Sequence, residues 1–259
     1  MATQQFELSL LPHENVYFAS DFHLGAPSQA DSFAREQRIV QWLDTIAADA
    51  KYIFLLGDVF DFWFEYRYLV PKGHVLFLGK LVELRLKGIE IHYFTGNHDA
   101  WTFGYLEQVL GLTVHRQPCL FTIQNKTLLI GHGDGLGKGD NGYKFFKLIY
   151  TNIAFQWLFA VVSPRLSFKI AHYLSKNSRS KQPQKEIAFT HPENEMLYLY
   201  CQDYLQTHDS VDFFVLGHRH YPLDLPLVGQ SRYINTGDWL KYDSYAKFSN
   251  GTMSLIIGR

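Results

Sequence analysis

Two cysteines in 259 residues, Cys119 and Cys201, are too few for a disulfide framework. A reducing compartment is the simpler expectation. Charge of one sign is missing as well. The sequence has 24 Lys and Arg against 25 Asp and Glu, a formal net charge of −1. No basic field calls for nucleic acid as a partner. No apolar run reaches the ~20 residues that span a bilayer. The longest strongly apolar stretch, 153–162, is interrupted by Gln156. Residues 1–15 are acidic and polar and lack the apolar segment of a signal peptide. These absences lead to the expectation of a cytoplasmic protein. Internal repeats and low-complexity tracts are absent too.

What is present is apolar and aromatic. The chain is 47% hydrophobic and 16% aromatic, enough for one full core. A single domain over 1–259 with an inserted subdomain fits that length. Short apolar runs recur, each ending on a small residue and followed at once by a polar one. Val16 to Ser20 leads into Asp21, and Tyr52 to Gly57 into Asp58. Ile91 to Gly96 leads into Asn97, Thr127 to Gly131 into His132, and Phe213 to Gly217 into His218. Runs of this length and composition predict strands buried on both faces. Between the early ones, Phe33 to Ala48 and Gly73 to Lys87 carry apolar residues at helical spacing. Strand, helix, strand implies crossover connections and a largely parallel or mixed sheet. Ligands then gather beyond the carboxyl ends of the strands.

Two regions break that rhythm. Residues 142–184 are aromatic at first and rich in Ser and Lys at the end. They predict a helical insertion over the site, with Pro164 separating two helices; ordinary core helices are the alternative. Ser231 to Thr236, Tyr245 to Phe248 and Thr252 to Ile257 predict the antiparallel finish of a second sheet.

The polar residues at the strand ends carry the chemistry. Asp21-x-His23, Gly57-Asp58, Gly96-Asn97-His98-Asp99, Gly131-His132-Gly-Asp134 and Gly217-His218-Arg-His220 are each weak alone. Together they offer a mixed nitrogen and oxygen donor set larger than one ordinary metal needs. Asp21, His23, Asp58, Asn97, His132, His218 and His220 fit two divalent ions. Such a set favours Mn²⁺, Fe or Zn²⁺ over Mg²⁺ or Ca²⁺, which prefer oxygen alone. His98 is a candidate acid or electrostatic stabiliser, with Asp99 orienting it. Two divalent ions outweigh two carboxylates and a bridging hydroxide, so the site retains positive charge for an anionic phosphoryl oxygen. Two-metal clamps activate a bridging water and stabilise entering and leaving oxygens. No partnered Ser or Cys nucleophile is evident.

The five motifs, in this order over residues 16–240, resemble the calcineurin-like metallophosphoesterase superfamily. The resemblance implies a four-layer α/β/β/α sandwich. It implies one metal on Asp21, His23, Asp58 and His220, and a second on Asp58, Asn97, His132 and His218, with Asp58 bridging. His98 would be the catalytic histidine near the leaving group. A narrower resemblance rests on Asp58-Val-Phe-Asp-Phe-Trp63, on His132-Gly-Asp134 followed by Gly139-Asp-Asn-Gly-Tyr143, and on Asn177-Ser178 after the insertion. These are similar to the UDP-2,3-diacylglucosamine diphosphatase family of lipid A biosynthesis. That likeness implies cleavage to UMP and an acylated sugar phosphate, with acyl chains received by the insertion. Asn97, Asp140, Tyr143, Ser178 and Lys185 would then contact substrate. A departure is His98, where the enterobacterial-type enzyme carries Arg. Three readings follow: a hydrolase of a lipid-linked diphosphate, a phosphodiesterase or phosphatase for a soluble nucleotide, and a non-catalytic scaffold. The intact donor set speaks against the last. Lys144, Lys147, Arg165 and Lys169 flank the apolar insertion, as a surface meeting the anionic cytoplasmic face of the inner membrane does.

Overall fold

The computed structural model describes residues 3–138, 141–170, 173, 194–208 and 211–259, without the side chains of 141–143 and 146. The strands are β1 (Gln5–Leu8), β2 (Asn15–Ala19), β3 (Ala50–Leu56), β4 (Glu90–Phe94), β5 (Thr113–His115), β6 (Cys119–Ile123), β7 (Lys126–Ile130), β8 (Phe213–Leu216), β9 (Pro222–Pro226), β10 (Arg232–Thr236), β11 (Tyr245–Ser249) and β12 (Thr252–Ile256). The helices are α1 (Gln29–Ile46), α2 (Val75–Leu86), α3 (Tyr105–Gln108), α4 (Asn141–Thr151), α5 (Ile153–Ala160) and α6 (Met196–Thr207). Residues 164–170 are also helical.

The strands form two six-stranded sheets, ordered β1-β6-β7-β8-β10-β9 and β12-β11-β2-β3-β4-β5. Alternation along each strand decides what lies between and outside them. Val16 and Phe18 on β2, and Phe54 and Leu56 on β3, face the space between the sheets with Phe121, Leu128, Ile130 and Val215. Tyr17, Ile53 and Leu55 point the other way, onto Trp42 and Leu43 of α1 and Leu81 and Leu84 of α2. Phe214, Leu216 and Tyr233 of the other sheet pack on Leu197 and Cys201 of α6. Helix, sheet, sheet, helix is the resulting layer order, as expected. Both faces of the central strands are covered, which is why those strands read as unbroken apolar runs.

Two expectations are corrected. The last three strands do not finish one sheet. β10 runs parallel to β8 in the first sheet, whereas β11 and β12 form a hairpin that pairs antiparallel with β2 in the second. The chain crosses between sheets in the turn after Thr236, and this carries Asp238 to the strand ends. The insertion is also not divided at Pro164 alone. Asn152 accepts the amide of Ala154 at 2.9 Å and starts a new helix there. Pro164 is the first residue of the next helical stretch, where its missing N–H costs nothing. Residues 171–172 and 174–184 of the expected insertion lie outside the described residues.

A histidine pair lies within the inter-sheet packing. His92 Nδ1 is 3.0 Å from His115 Nε2, and the His92 ring stacks on Phe54 with centroids 4.6 Å apart. Burial pushes His92 down to about 3, with His115 adding to it, and burial pushes His115 down to about 4. Both rings are therefore neutral in the fold, while in the unfolded chain they take up protons below about 6.5. The unfolded state then binds more protons, so stability is complete above pH 6.5 and is lost as pH falls toward 4. The loss is on the order of 1 kcal/mol per pH unit for each ring. Urea midpoints at pH 7.5 and pH 5 should differ less for His92→Phe than for wild type. Equal differences would show that the pair does not carry the acid sensitivity.

Candidate metal centre

All five strand-end motifs converge between the two sheets' carboxyl ends. Asp21 follows β2, Asp58 follows β3, Asn97 lies just past β4, His132 follows β7 and His218 follows β8. The loops that carry them are hydrogen bonded to one another. The amide of Asp21 donates to Gly57 O at 3.0 Å, that of His23 to Asp58 O at 2.9 Å, and that of Gly217 to His132 O at 2.8 Å.

Five of the seven expected ligands hold positive φ: Asp21 at 55°, His23 at 44°, Asp58 at 51°, His218 at 71° and His220 at 57°. Non-glycine residues rarely sit there, and each costs on the order of 1–3 kcal/mol. The turn aims each side chain inward as soon as its strand ends. Two glycines supply the close approach. A Cβ on Gly96 would run into the Asp58 carboxylate, and one on Gly217 would lie 2.5 Å from Ser20 Oγ and 2.9 Å from Asp21 Oδ2.

The donor atoms form two groups that share Asp58. Asp21, His23, Asp58 and His220 make one, and Asp58, His132 and His218 make the other. Asp58 Oδ1 is occupied by the amide of His98 at 2.9 Å. Its Oδ2 faces His132 Nε2 at 3.4 Å and His23 Nε2 at 3.8 Å. Asp21 Oδ2 accepts from the amide of His218 at 3.0 Å, and its Oδ1 lies 3.3 Å from His220 Nε2.

The chemistry of these atoms fits two cations. Asp21 Oδ1, Asn97 Oδ1 and His132 Nε2 are buried with no hydrogen-bond partner, which is costly unless a ligand satisfies them. His132 Nδ1 is 2.7 Å from Leu56 O, so Nδ1 carries the proton and Nε2 offers its lone pair. His220 Nδ1 is likewise 3.1 Å from Asp238 Oδ2. Carboxylates and carbonyls behind metal-bound imidazoles set the tautomer in this way. Without cations, protons occupy their places. Burial pushes His132 down, but Asp58 outweighs it, and the ring rises to about 10. His23 behaves alike: burial lowers it, Asp21, Asp61 and Asp58 overcome that, and it reaches about 10. Burial raises the Asp21 carboxyl, yet His220, His23 and His132 hold it at about 2. His218 is driven to about 3 by burial and by His132.

The structure brings together the six Asp and His residues of the expected ligand set, leaves Asn97 Oδ1 buried without a partner, and sets Asp99 apart from its expected role. Asp99 accepts from the amides of Val59 at 2.8 Å, Phe60 at 3.3 Å and Gly96 at 2.7 Å, and from the Tyr93 hydroxyl. It clamps the loop after β3 to the loop after β4. Asp61 faces His98 instead: His98 Nδ1 lies 2.9 Å from Asp61 O. Asp61 Oδ1 is also 3.4 Å from His23 Nδ1. Of the expected substrate contacts, Asp140, Ser178 and Lys185 lie outside the described residues, as does the side chain of Tyr143.

Four supporting residues were not foreseen. Asp61 lay in view within Gly57-Asp58-Val-Phe-Asp61, and Asp238 within Gly237-Asp238 after a strand, a pattern shared with Asp58. Arg35 and Glu195 had no sequence signal. Arg35 is buried on α1 and donates to His23 O at 2.6 Å. Glu195 pairs with Arg219 Nε at 2.9 Å, between His218 and His220.

The sequence model of calcineurin-like phosphoesterases matches residues 15–222. The chain belongs to that family. It is a metal-dependent hydrolase with a buried Asp and His centre for divalent metals. A UDP-2,3-diacylglucosamine hydrolase of Porphyromonas gingivalis is 38% identical over 93% of this chain and 96% of its own length. One of that name from Aeromonas salmonicida is 27% identical over 93% and 92%. A dimetal phosphatase from Danio rerio superposes with a TM-score of 0.48 at 14% identity, over 95% and 96% of the two chains.

Asp58→Ala removes the one carboxylate common to both groups. Metal analysis should show loss of metal from the variant, and turnover of a bis-aryl phosphate should drop more than about a hundredfold. Full occupancy with wild-type turnover would overturn the shared site. Asp238→Asn changes the group that His220 Nδ1 faces while leaving an oxygen to accept from the amides of Lys241 and Tyr242. It should weaken retention of one metal by about 10–100-fold while the other stays, read by dialysis against a graded chelator. Equal loss of both would show that Asp238 serves the fold as a whole.

Proposed function

We propose that this hydrolase cleaves the diphosphate of UDP-2,3-diacylglucosamine or a similar lipid-linked diphosphate, consuming one water and giving UMP and an acylated sugar phosphate. The observation that carries the reading is the 38% identity to the hydrolase of that name over nearly the whole of both chains. The bound metals, for which Mn²⁺ is the first choice, would supply Lewis acidity and an activated water.

The remaining steps belong to the chain's own residues. Asp21, His23, Asp58 and His220 would hold one metal, and Asp58, Asn97, His132 and His218 the other. His98 has its Nδ1 proton directed at the Asp61 carbonyl, and its Nε2 lies 4.0 Å from Asp58 Oδ2. Burial lowers His98, and that outweighs the pull of Asp58. Nε2 would then be the atom that takes up and returns a proton near the leaving oxygen, with the Asp61 carbonyl fixing the ring. Asn97, Asp140, Tyr143, Ser178 and Lys185 would contact substrate.

The acyl part has an aromatic destination. Phe62 and Trp101, backed by the buried Phe64, form a ledge beside the site. Trp101 and Phe64 lie 4.5 and 5.1 Å from the Phe159 ring, and Phe62 lies 5.1 Å from Phe168. Further out, Trp157 and Val161 are 74% and 77% exposed. Among the described residues no helix is long and apolar enough to cross a membrane. An apolar insertion bordered by Lys144, Arg165 and Lys169 supports peripheral contact with anionic lipid on the cytoplasmic face of the inner membrane. One observation favours a second reading, a phosphodiesterase for a soluble nucleotide: His98 is not the Arg of the enterobacterial-type enzyme.

Turnover on UDP-2,3-diacylglucosamine, UDP-sugars without acyl chains, cyclic nucleotides and a bis-aryl phosphate separates the two. Preference for the acylated compound is expected, and equal or better turnover of a soluble nucleotide would replace the reading. His98→Ala should lower turnover by about a hundredfold or more with both metals retained. Metal loss from that variant would instead make His98 a ligand.

A further inference from the structure

Helix α4 has a second side, opposite the aromatic ledge. A cavity of about 1200 Å³ lies between α4 and the core and runs up to the metal centre. Its inner end is formed by Gly96, His132 and Asp134, and its outer wall by Phe103, Gln108, Arg116 and Gln117. The chemistry of this wall differs from that of the ledge. Arg116 Nη2 is braced by Thr102 O at 3.0 Å and by Glu107 Oε1 at 3.1 Å, while the side chain remains half exposed. Gln108 and Gln117 each bring a paired amide donor and acceptor to the same wall. Phe103 is 48% exposed and offers an aromatic face. Across the cavity, Lys147 is held by Asp134 and Lys144 donates to Gly137 O. These contacts fix the polar face of α4 against the loop after β7.

We infer that this cavity is the nucleoside subsite: it takes the pyrimidine nucleoside 5′-phosphate half of the substrate, while the acylated half lies on the aromatic side of α4. This rests on the diphosphate reading above and adds to it where each half goes. A lipid-linked nucleoside diphosphate has two unlike halves joined at the reacting phosphates. The cavity wall and the aromatic ledge are two unlike surfaces beside the metal centre, adjoining where Phe103 packs on Phe64 with centroids 5.5 Å apart. A uracil edge presents N–H and carbonyl groups side by side, the complement of a carboxamide. A base stacks on an exposed aromatic ring, and a guanidinium suits ribose hydroxyls or a phosphate oxygen. The ledge of Phe62 and Trp101 offers rings but no carboxamide or guanidinium, and its one N–H, on the Trp101 indole, already donates to Tyr150 O at 2.7 Å.

Inhibition of bis-aryl phosphate hydrolysis by the metal-loaded enzyme tests this with two probes, UMP and inorganic phosphate. In wild type, UMP should inhibit at least about tenfold more tightly than phosphate, because the nucleoside adds contacts the phosphate lacks. In Gln108→Ala/Gln117→Ala and in Phe103→Ala the UMP inhibition constant should rise about tenfold, with that of phosphate moving less than about twofold. Phe159→Ala, on the other side of α4, should leave the UMP constant in place. If UMP outcompetes phosphate but these wall variants bind it as wild type does, the nucleoside lies elsewhere and the inference fails while the diphosphate reading survives. If UMP is no better than phosphate, the subsite does not exist, and turnover of UDP-2,3-diacylglucosamine judges the diphosphate reading separately. The varied wall residues are exposed except for Phe159, so circular dichroism at matched temperature suffices to confirm that each variant is folded.

Discussion

A carboxylate buried as deeply as that of Asp58 stays ionised only where positive charge faces it. Burial pushes this carboxyl up, yet His132, His98 and His23 hold it well below the usual carboxylate range. Those neighbours stand on three different loops, so the demands of one oxygen tie together the ends of β2, β3, β4 and β7. The same constraint explains why His23 and His132 rise to about 10 in the absence of cations. The site is built for more positive charge than its side chains can supply as neutral rings. Divalent cations held by these residues would meet that demand, and His23 and His132 would then be neutral ligands.

The backbone bears a cost for this arrangement. Left-handed turns at Asp21, His23, Asp58, His218 and His220 are each unfavourable. They persist because the strands behind them are fixed. β2, β3 and β8 are buried over their length or nearly so, and neighbouring strands hold their register. Asp99 then locks the loops after β3 and β4 together, and Arg35 holds the carbonyl of His23 from α1. The rigid sandwich therefore offsets the strain that aims the ligands. Loops alone would relax it.

Much of this was legible in the sequence because the function lies where a strong pattern stops. Apolar runs marked the strands, and the residue after each run marked the ligand. The crossover strands and the six Asp and His residues that gather at the site could be read that way, whereas the four-layer order was implied by the family resemblance. What was not legible has physical reasons. β1 and β5 are short strands at sheet edges, of 4 and 3 residues, so they carry little signal. The placement of β11 beside β2 depends on pairing across more than 200 residues of chain, which local pattern does not encode. Asp99 was misjudged because adjacency in Asn97-His98-Asp99 suggests contact, whereas successive side chains past a strand diverge. Arg35 sits on a helix face whose polarity would ordinarily mean solvent, and its purpose is visible only when the His23 carbonyl is found beneath it.

The division of surfaces around α4 bears on how one centre can serve an amphiphilic molecule. Hydrolysis needs the reacting phosphates at the metals, but neither half of the substrate reacts. Binding contributed by those halves lowers the barrier only if it draws the phosphates into place. On the proposed reading, a helix standing over the strand ends would do this geometrically, giving each half its own wall and leaving the junction as their common point. Lys147 joins α4 to Asp134, and Asp134 faces His132 and His218. The position of the helix is thus coupled to the ligands themselves. A substrate that fills only one wall lacks half of that alignment, whichever wall it fills. On that reading, selectivity for a two-part molecule would follow from where α4 stands, without any ligand of the metals having to change.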